Sequence, residues 1–269
     1  MRKKHITISD KEFLQLKDII FKKSGIHITA DDMIHLENKL SSRLFLHNMS
    51  SFREYYEYLK SNSNELQAMI NNVTTNETYF FREKKHFDFL KNEILPKVKY
   101  EKFRCWSAAG SNGAEGYSIA MHINSNLSTY QNWEVVISDI NDDVLNFAQN
   151  GVYPMKYAKK IPQEYLKQYC LKGQNEDDGY FKIDDKLKRN IIFKHINLLN
   201  IFDQDLGMFD LIFLRNMIIY FDDKEKKTIV ENVVRYLKPG GFLFMGHSES
   251  LYRITNKVKQ IKPSIYQKL

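Results

Sequence analysis

The chain has 269 residues, a formal net charge of +7, 43% hydrophobic and 27% charged residues. That balance suits a soluble globular protein of one large or two smaller domains and excludes a disordered or fibrous chain. Cys105 and Cys170 are the only cysteines, which excludes a disulfide framework and cysteine-based metal spacing. The basic start Met1-Arg2-Lys3-Lys4 runs into Ser9-Asp10-Lys11-Glu12 rather than an apolar run. No signal peptide or membrane span is therefore expected, and the reduced thiols point to a cytoplasmic setting. The positive excess forms no long Lys/Arg run, so it does not choose between nucleic acid, anionic membrane and an acidic protein surface.

The front of the chain reads as helices. Phe13, Leu16, Ile19 and Ile20 share one helical face, and Gly25 stops that helix after Lys22-Lys23-Ser24. A second helix is expected from Thr29, with Asp31 and Asp32 in its first turn and Met33, Leu36 and Leu40 as its apolar stripe. Ser51-Phe52-Arg53-Glu54 reads as a capping box for a third helix through Leu59. A fourth runs from Asn64 to about Asn72. These make a small helical domain, bounded at about residues 1–75.

From Phe103 the period changes. Arg104–Ala109, Glu134–Ser138, Asp210–Leu214 and Phe242–Met245 read as buried strands, with helices near Glu115–Asn124, Asp142–Asn150 and Lys224–Tyr236 between them. Continuous apolar strands alternating with helices imply an α/β domain with a parallel sheet covered on both faces, over residues 76–269. Lys159–Phe193 interrupts the alternation. Tyr180–Ile183 and Ile191–Phe193 read there as short strands of a small antiparallel insertion, at about residues 159–193.

Open α/β sheets bind ligands beyond the carboxyl ends of their strands, and three features sit there. Gly110-Ser111-Asn112-Gly113-Ala114-Glu115-Gly116 lets the backbone turn sharply beside a ligand, but its spacing matches neither the dinucleotide fingerprint nor a P-loop. Asp139 ends the second strand; an acid there accepts from ribose hydroxyls or caps the helix beginning near Asn141 or Asp142. Arg215-Asn216 follows the very apolar Asp210–Leu214, where charged and amide groups point to function. Together these indicate a nucleoside-bearing cofactor. They leave nicotinamide and methyl chemistry both open, with the glycine spacing leaning toward methyl transfer.

Seven motifs in order carry a more specific likeness: Thr75–Glu83, Trp106–Ala109, Ser138–Ile140, Asn197–Leu199, Arg215–Phe221, Leu237–Gly241 and Gly246–Glu249. The series resembles the chemotaxis receptor methyltransferases (CheR) over nearly the whole chain. The resemblance implies a Rossmann-like S-adenosylmethionine-dependent methyltransferase sheet with a small antiparallel β insertion, preceded by an all-α N-terminal domain. It implies methyl transfer from S-adenosylmethionine to glutamate carboxylates of a chemoreceptor's cytoplasmic helical bundle, giving glutamyl methyl esters. Carried over by motif, Asn76, Thr78, Arg82, Glu115, Asp139, Asn197, Leu198, Arg215 and Asn216 line the cofactor site, with Arg82 and Tyr220 nearest the transferred methyl. No metal is expected, nor nucleic acid as a partner, and a monomer is the expected state. Basic residues of the helical front, Lys39, Arg43 and Arg53, are candidates for meeting the receptor's acids. In some members the β insertion grips a peptide at the receptor's carboxyl end; the three acids Glu176-Asp177-Asp178 set this chain's loop apart.

The glycine loop departs from the family's usual Gly-Glu-Glu-Pro-Tyr-Ser, having Gly113-Ala114-Glu115-Gly116-Tyr117-Ser118. Proline pre-sets a first helical turn, so a looser helix start and weaker cofactor binding are expected here. An acceptor glutamate with an ordinary pKa of about 4.3 is already ionised near neutrality, so no general base is needed. His247 and Glu249 read as loop structure, Cys105 as a small core residue. Two rivals stand beside this reading. A cofactor-binding receptor adaptor without activity is one; a nucleic-acid methyltransferase is the other, though no Asn-Pro-Pro-Tyr type motif is present.

Overall fold

The computed structural model describes residues 6–99, 102–127, 131–201 and 204–269. Two compact units emerge: a first reaching to Thr75 together with Tyr220–Glu225, and a second of Asn76–Ile219 with Lys226–Leu269.

The first unit is helical, with α1 (Asp10–Ser24), α2 (Met33–Leu46), α3 (Phe52–Ser61) and α4 (Ser63–Val73). Ser9 and Glu12 cap α1 reciprocally: the Ser9 N–H donates to Glu12 Oε2 at 2.9 Å and the Glu12 N–H to Ser9 Oγ at 3.4 Å. Gly25 ends α1 with φ +74°, its N–H donating to the Phe21 carbonyl at 2.7 Å. The Ala30–Asp32 segment forms a 3₁₀ turn closed by Thr29 and Asp32, and α2 starts only after it. At α3 half of the expected box forms. Ser51 Oγ accepts from the Glu54 N–H, but the Glu54 carboxylate turns back to the Ser50 N–H instead. Leu16, Ile20, Leu40, Leu44, Phe52, Tyr55, Met69 and Ile70 are fully buried at the centre, each large aliphatic stabilising the unit by roughly 1.5–3 kcal/mol.

Two of the three candidate basic residues of this unit, Lys39, Arg43 and Arg53, are already engaged. Lys39 Nζ donates to the Val73 carbonyl at 2.8 Å, at the end of α4. Arg43 grips Glu65 through Nε (2.9 Å) and Nη2. Arg53 alone of the three keeps an exposed side chain.

The second unit opens with α5 (Lys84–Phe89) and builds a seven-stranded sheet. In chain order its elements are β1 (Phe103–Ser107), α6 (Ala114–Asn126), β2 (Trp133–Asp139), α7 (Asp142–Asn150), β3 (Val152–Pro154), α8 (Gln163–Tyr169), β4 (Cys170–Lys172), β5 (Tyr180–Ile183), α9 (Asp185–Lys188), β6 (Ile191–His195), β7 (Phe209–Leu214), α10 (Asp223–Arg235), β8 (Leu237–Met245), β9 (Val258–Lys262) and β10 (Ile265–Lys268). The main sheet runs β6-β2-β1-β7-β8-β10-β9. Its first five strands are parallel, and β10 is antiparallel to both neighbours. Buried runs in β1, β2 and β7 have no solvent face, as a sheet covered on both sides requires.

The insertion differs from expectation. A separate antiparallel sheet, β3-β5-β4, draws its strands from Val152 to Ile183. Ile191–Phe193 does not belong to it: β6 lies parallel to β2 in the main sheet, Val135 opposite Ile191. As an edge strand it exposes Ile192 by 39%, which made its short apolar run look like part of a surface hairpin. Phe181 anchors the small sheet, stacked on Tyr153 at 5.6 Å between centroids and tilted against Phe80 at 6.1 Å.

Candidate active site

The carboxyl ends of β1, β2, β6 and β7 gather most of the expected residues of the second unit. After β1 the chain turns through Gly110–Gly113, with Ser111 at φ +48° and Gly113 at φ +85°. The first turn of α6 is tied to its surroundings by two hydrogen bonds at Asn112. Asn112 Oδ1 accepts from the Ala114 N–H at 3.1 Å, and the Tyr153 hydroxyl donates to the Asn112 carbonyl at 2.6 Å. Gly116 has a packing role as well: a Cβ there would lie 2.2 Å from Ile137 Cδ1, and one at Gly110 2.5 Å from Ile137 Cγ2. The branched Ile137 of β2 fills the space a larger residue would take, so α6 seats close on the sheet.

Asp139 does not cap α7; it holds Asn141, the residue that does. Its Oδ2 accepts from the Ser111 N–H at 2.8 Å and its Oδ1 from the Asn141 N–H at 3.0 Å, while Asn141 itself caps α7. The Ile140 N–H is a further backbone donor to this carboxylate, which leaves part of its acceptor capacity unused. Burial pushes the carboxyl of Asp139 above its ordinary range, against the pull of those backbone donors. Ser111 also reaches Asn76, its hydroxyl donating to the Asn76 carbonyl at 3.0 Å. The Ile196 N–H donates to the Asp139 carbonyl at 3.0 Å, bringing Asn197 and the buried Leu198 to the same edge.

At the end of β7, Arg215 is almost wholly buried. Its Nε donates to Glu83 Oε2 at 3.2 Å, its Nη2 to the Arg82 carbonyl at 2.6 Å, and its Nη1 lies 3.3 Å from Glu115 Oε2 without a hydrogen bond of its own. Glu115 Oε1 accepts from the Ser107 hydroxyl at 2.6 Å. Burial raises its carboxyl, and Arg215 and Ser107 do not fully offset that.

Glu83 is a residue that the sequence does not single out, standing only at the end of the Thr75–Glu83 motif. Held at φ +60°, it binds Arg215, approaches Asn216 Nδ2 at 3.5 Å and accepts from the His247 N–H at 3.2 Å. Left-handed backbone at a glutamate is strained, and such strain clusters at functional sites. Asn216, also left-handed at φ +54°, is held by Glu249. That carboxylate accepts from the N–H groups of Asn216, Met217, Ile218 and Gly246, at 2.7 to 2.9 Å.

Arg82 makes no ion pair with Glu83 or Glu77. Its guanidinium donates to the Glu77 carbonyl at 3.3 Å and lies over the Tyr79 ring, leaving most of its donors unused. His86, fully buried beside this cluster, is pushed down to about 3 by burial and by Arg215 and His247, which keeps its ring neutral. The thiol of Cys105 is pushed well up by burial, so it is no nucleophile. Tyr220 closes a 3₁₀ turn, Ile218–Tyr220, and falls with the first unit, where its carbonyl accepts from the His27 N–H at 3.4 Å.

Residues 76–267 match the family model "CheR methyltransferase, SAM binding domain", and residues 11–74 match "CheR methyltransferase, all-alpha domain". The chain belongs to the CheR methyltransferase family. Curated CheR relatives agree over nearly full length. A chemotaxis protein methyltransferase of Borreliella burgdorferi is 36% identical over 98% of this chain and 96% of its own. One of Escherichia coli is 36% identical over 97% and 92%, and chemotaxis protein methyltransferase 2 of Vibrio cholerae 35% over 96% and 93%. This CheR chain is therefore a methyltransferase of chemotaxis that uses S-adenosylmethionine. Among the described residues, no helix is long and apolar enough to cross a membrane.

Proposed function

We propose that the cluster at the ends of β1, β2, β6 and β7 holds S-adenosylmethionine and that Arg82 aligns a carboxylate beside it. The acceptor in this reading is a glutamate on a chemoreceptor's cytoplasmic helical bundle, met by a monomeric enzyme in the cytoplasm. The observation carrying the proposal is the buried, incompletely bonded Arg215 Nη1 beside the raised Glu115. Buried polar groups are normally satisfied, and an unsatisfied donor at a strand end fits a ligand's acceptor atom. The remaining acceptor capacity of Asp139 suits a nucleoside.

S-adenosylmethionine supplies an electrophilic methyl on a sulfonium sulfur. The chain's task is then positional. Asp139 takes the ribose hydroxyls. Asn76, Thr78, Asn197, Leu198 and Asn216 line the cofactor, and Glu83 and Glu115 fix the plane of Arg215. Arg82 holds a carboxylate through paired N–H donors, and Tyr220, by the family resemblance alone, offers a hydroxyl and an aromatic face to the sulfonium. Aligning acceptor, methyl and sulfur is worth roughly 7–11 kcal/mol, and no residue needs to remove a proton.

Labelled methyl groups should enter receptor-containing membranes in base-labile form. Arg82→Ala should lower kcat/KM by about ten- to a hundredfold, the loss of a charged hydrogen-bonded anchor, with unfolding free energy changed by no more than about 0.5 kcal/mol. Tyr220→Phe should lower turnover less. Unchanged methylation in both variants would remove these roles. Cofactor binding by calorimetry without any methyl transfer would favour the adaptor instead.

A further inference from the structure

The first unit holds a second constellation of ligating side chains. His27 follows the Gly25 stop of α1, its ring packed on Phe21 at 4.8 Å. Its Nε2 lies 3.1 Å from Asp222 Oδ2 and 3.7 Å from Glu225 Oε2, and the three donor atoms lie within 4.8 Å of one another. Asp222 uses its other oxygen to cap α10, accepting from the N–H groups of Lys224 (3.0 Å) and Glu225 (3.1 Å). That bond fixes the carboxylate plane and leaves Oδ2 facing His27. Glu225 is only 9% exposed, and its Oε2 has no hydrogen-bond partner. Among the described residues, no lysine or arginine pairs with either acid.

Two carboxylates facing one imidazole leave negative charge uncompensated, and a buried unpaired carboxylate is costly. A tetrahedral ion with ligands at roughly 2.1 Å needs donor atoms about 3.4 Å apart, and the two His27 distances bracket that value. His27 and Asp222 are 40% and 49% exposed, so an ion has an entry path and a place for water. One imidazole with two carboxylates suits zinc and its neighbours rather than softer or all-oxygen ions.

We propose that His27, Asp222 and Glu225 bind a divalent transition-metal ion of the zinc class. The expectation of no metal rested on cysteine spacing and on the methyl-transfer chemistry, and this site lies outside both. Glu83, His86 and His247 are similarly close, but Arg215, 3.2 Å from Glu83, already supplies the positive charge there. The backbone N–H of His27 also binds the Tyr220 carbonyl, so an ion would staple the loop after α1 to the segment that opens α10.

The full chain, without a histidine tag, is titrated with Zn²⁺ by calorimetry and with Co²⁺ by visible absorption. One saturable equivalent is expected, with a rise in the thermal midpoint as metal is added. His27→Ala and Glu225→Gln should each weaken binding by at least roughly tenfold, and His247→Ala should not. Glu225→Gln keeps the side-chain volume, so it tests the site even where His27→Ala perturbs the fold. Absence of saturable binding, equal binding by wild type and both variants, or loss of binding in His247→Ala would each overturn the proposal.

Discussion

Arg43 in the helical unit and Arg215 in the second unit both sit against buried glutamate, yet the two clusters are completed differently. Glu65 accepts from Arg43 Nε and Nη2, from His47 Nε2 at 2.7 Å and from the Tyr55 hydroxyl at 2.7 Å. Burial pushes its carboxyl up, but these donors outweigh burial and bring it below its usual range. Glu115 has fewer donors, and burial prevails. One cluster is closed and holds α2, α3 and α4 together. The other keeps an unmatched N–H and a carboxyl that burial raises above its usual range. A structural network is one that leaves nothing for a ligand to do; a binding site is recognisable by what it leaves undone.

The strongest way to break this contrast is to remove each arginine. Arg43→Met should destabilise the protein by about 3–5 kcal/mol, because Glu65 stays buried without its main partner. Cofactor affinity of the folded fraction should be unchanged. Arg215→Met should weaken cofactor binding by about ten- to a hundredfold by calorimetry. Equal loss of cofactor binding in both would collapse the distinction.

A smaller effect is expected at Gly116. Gly116→Ala should cost about 1–3 kcal/mol in denaturant unfolding through overpacking against Ile137, and adding Ile137→Val should restore part of it. No cost would mean that α6 is not seated by that contact.

The smallest effect is in pH dependence, and its sign differs between the clusters. Glu65, with a lowered folded pKa, contributes stability present above the unfolded value of about 4.3 and lost as pH falls through the folded one. Glu115, with a raised folded pKa, favours the folded state in acid and loses that contribution as pH rises through its folded pKa. On acidification the stability advantage of wild type over Glu65→Gln should therefore shrink, while that over Glu115→Gln should grow. Parallel trends would erase the comparison.

Much of the frame was legible because local rules act within a few residues. The Gly25 stop and the buried runs of β1, β2 and β7 all follow from short-range pattern. Asp139, Arg215 and Asn216 could be singled out because strand ends are where such residues stand out, while Glu115 came by the family resemblance. Glu83 was not singled out, since its partner lies 132 residues away and no period relates them, whereas Glu249, read as loop structure, does hold loop backbone. The edge strand β6 was misplaced because three apolar residues after a polar turn look alike in a hairpin and at a sheet edge. The contact of Tyr153 with Asn112 at the start of α6 was illegible for a related reason: the two residues lie 41 apart.

The carboxylate of Glu249 has one more consequence, visible in time rather than in space. Four main-chain amides, those of Asn216, Met217, Ile218 and Gly246, end on a single side chain. They belong to two stretches of chain, but they can be released to solvent deuterium only when one carboxylate lets go. Their exchange should thus be slow and share a common rate, and Glu249→Gln should speed all four at once. The loop after β7 and the loop after β8 then open and close as a single event.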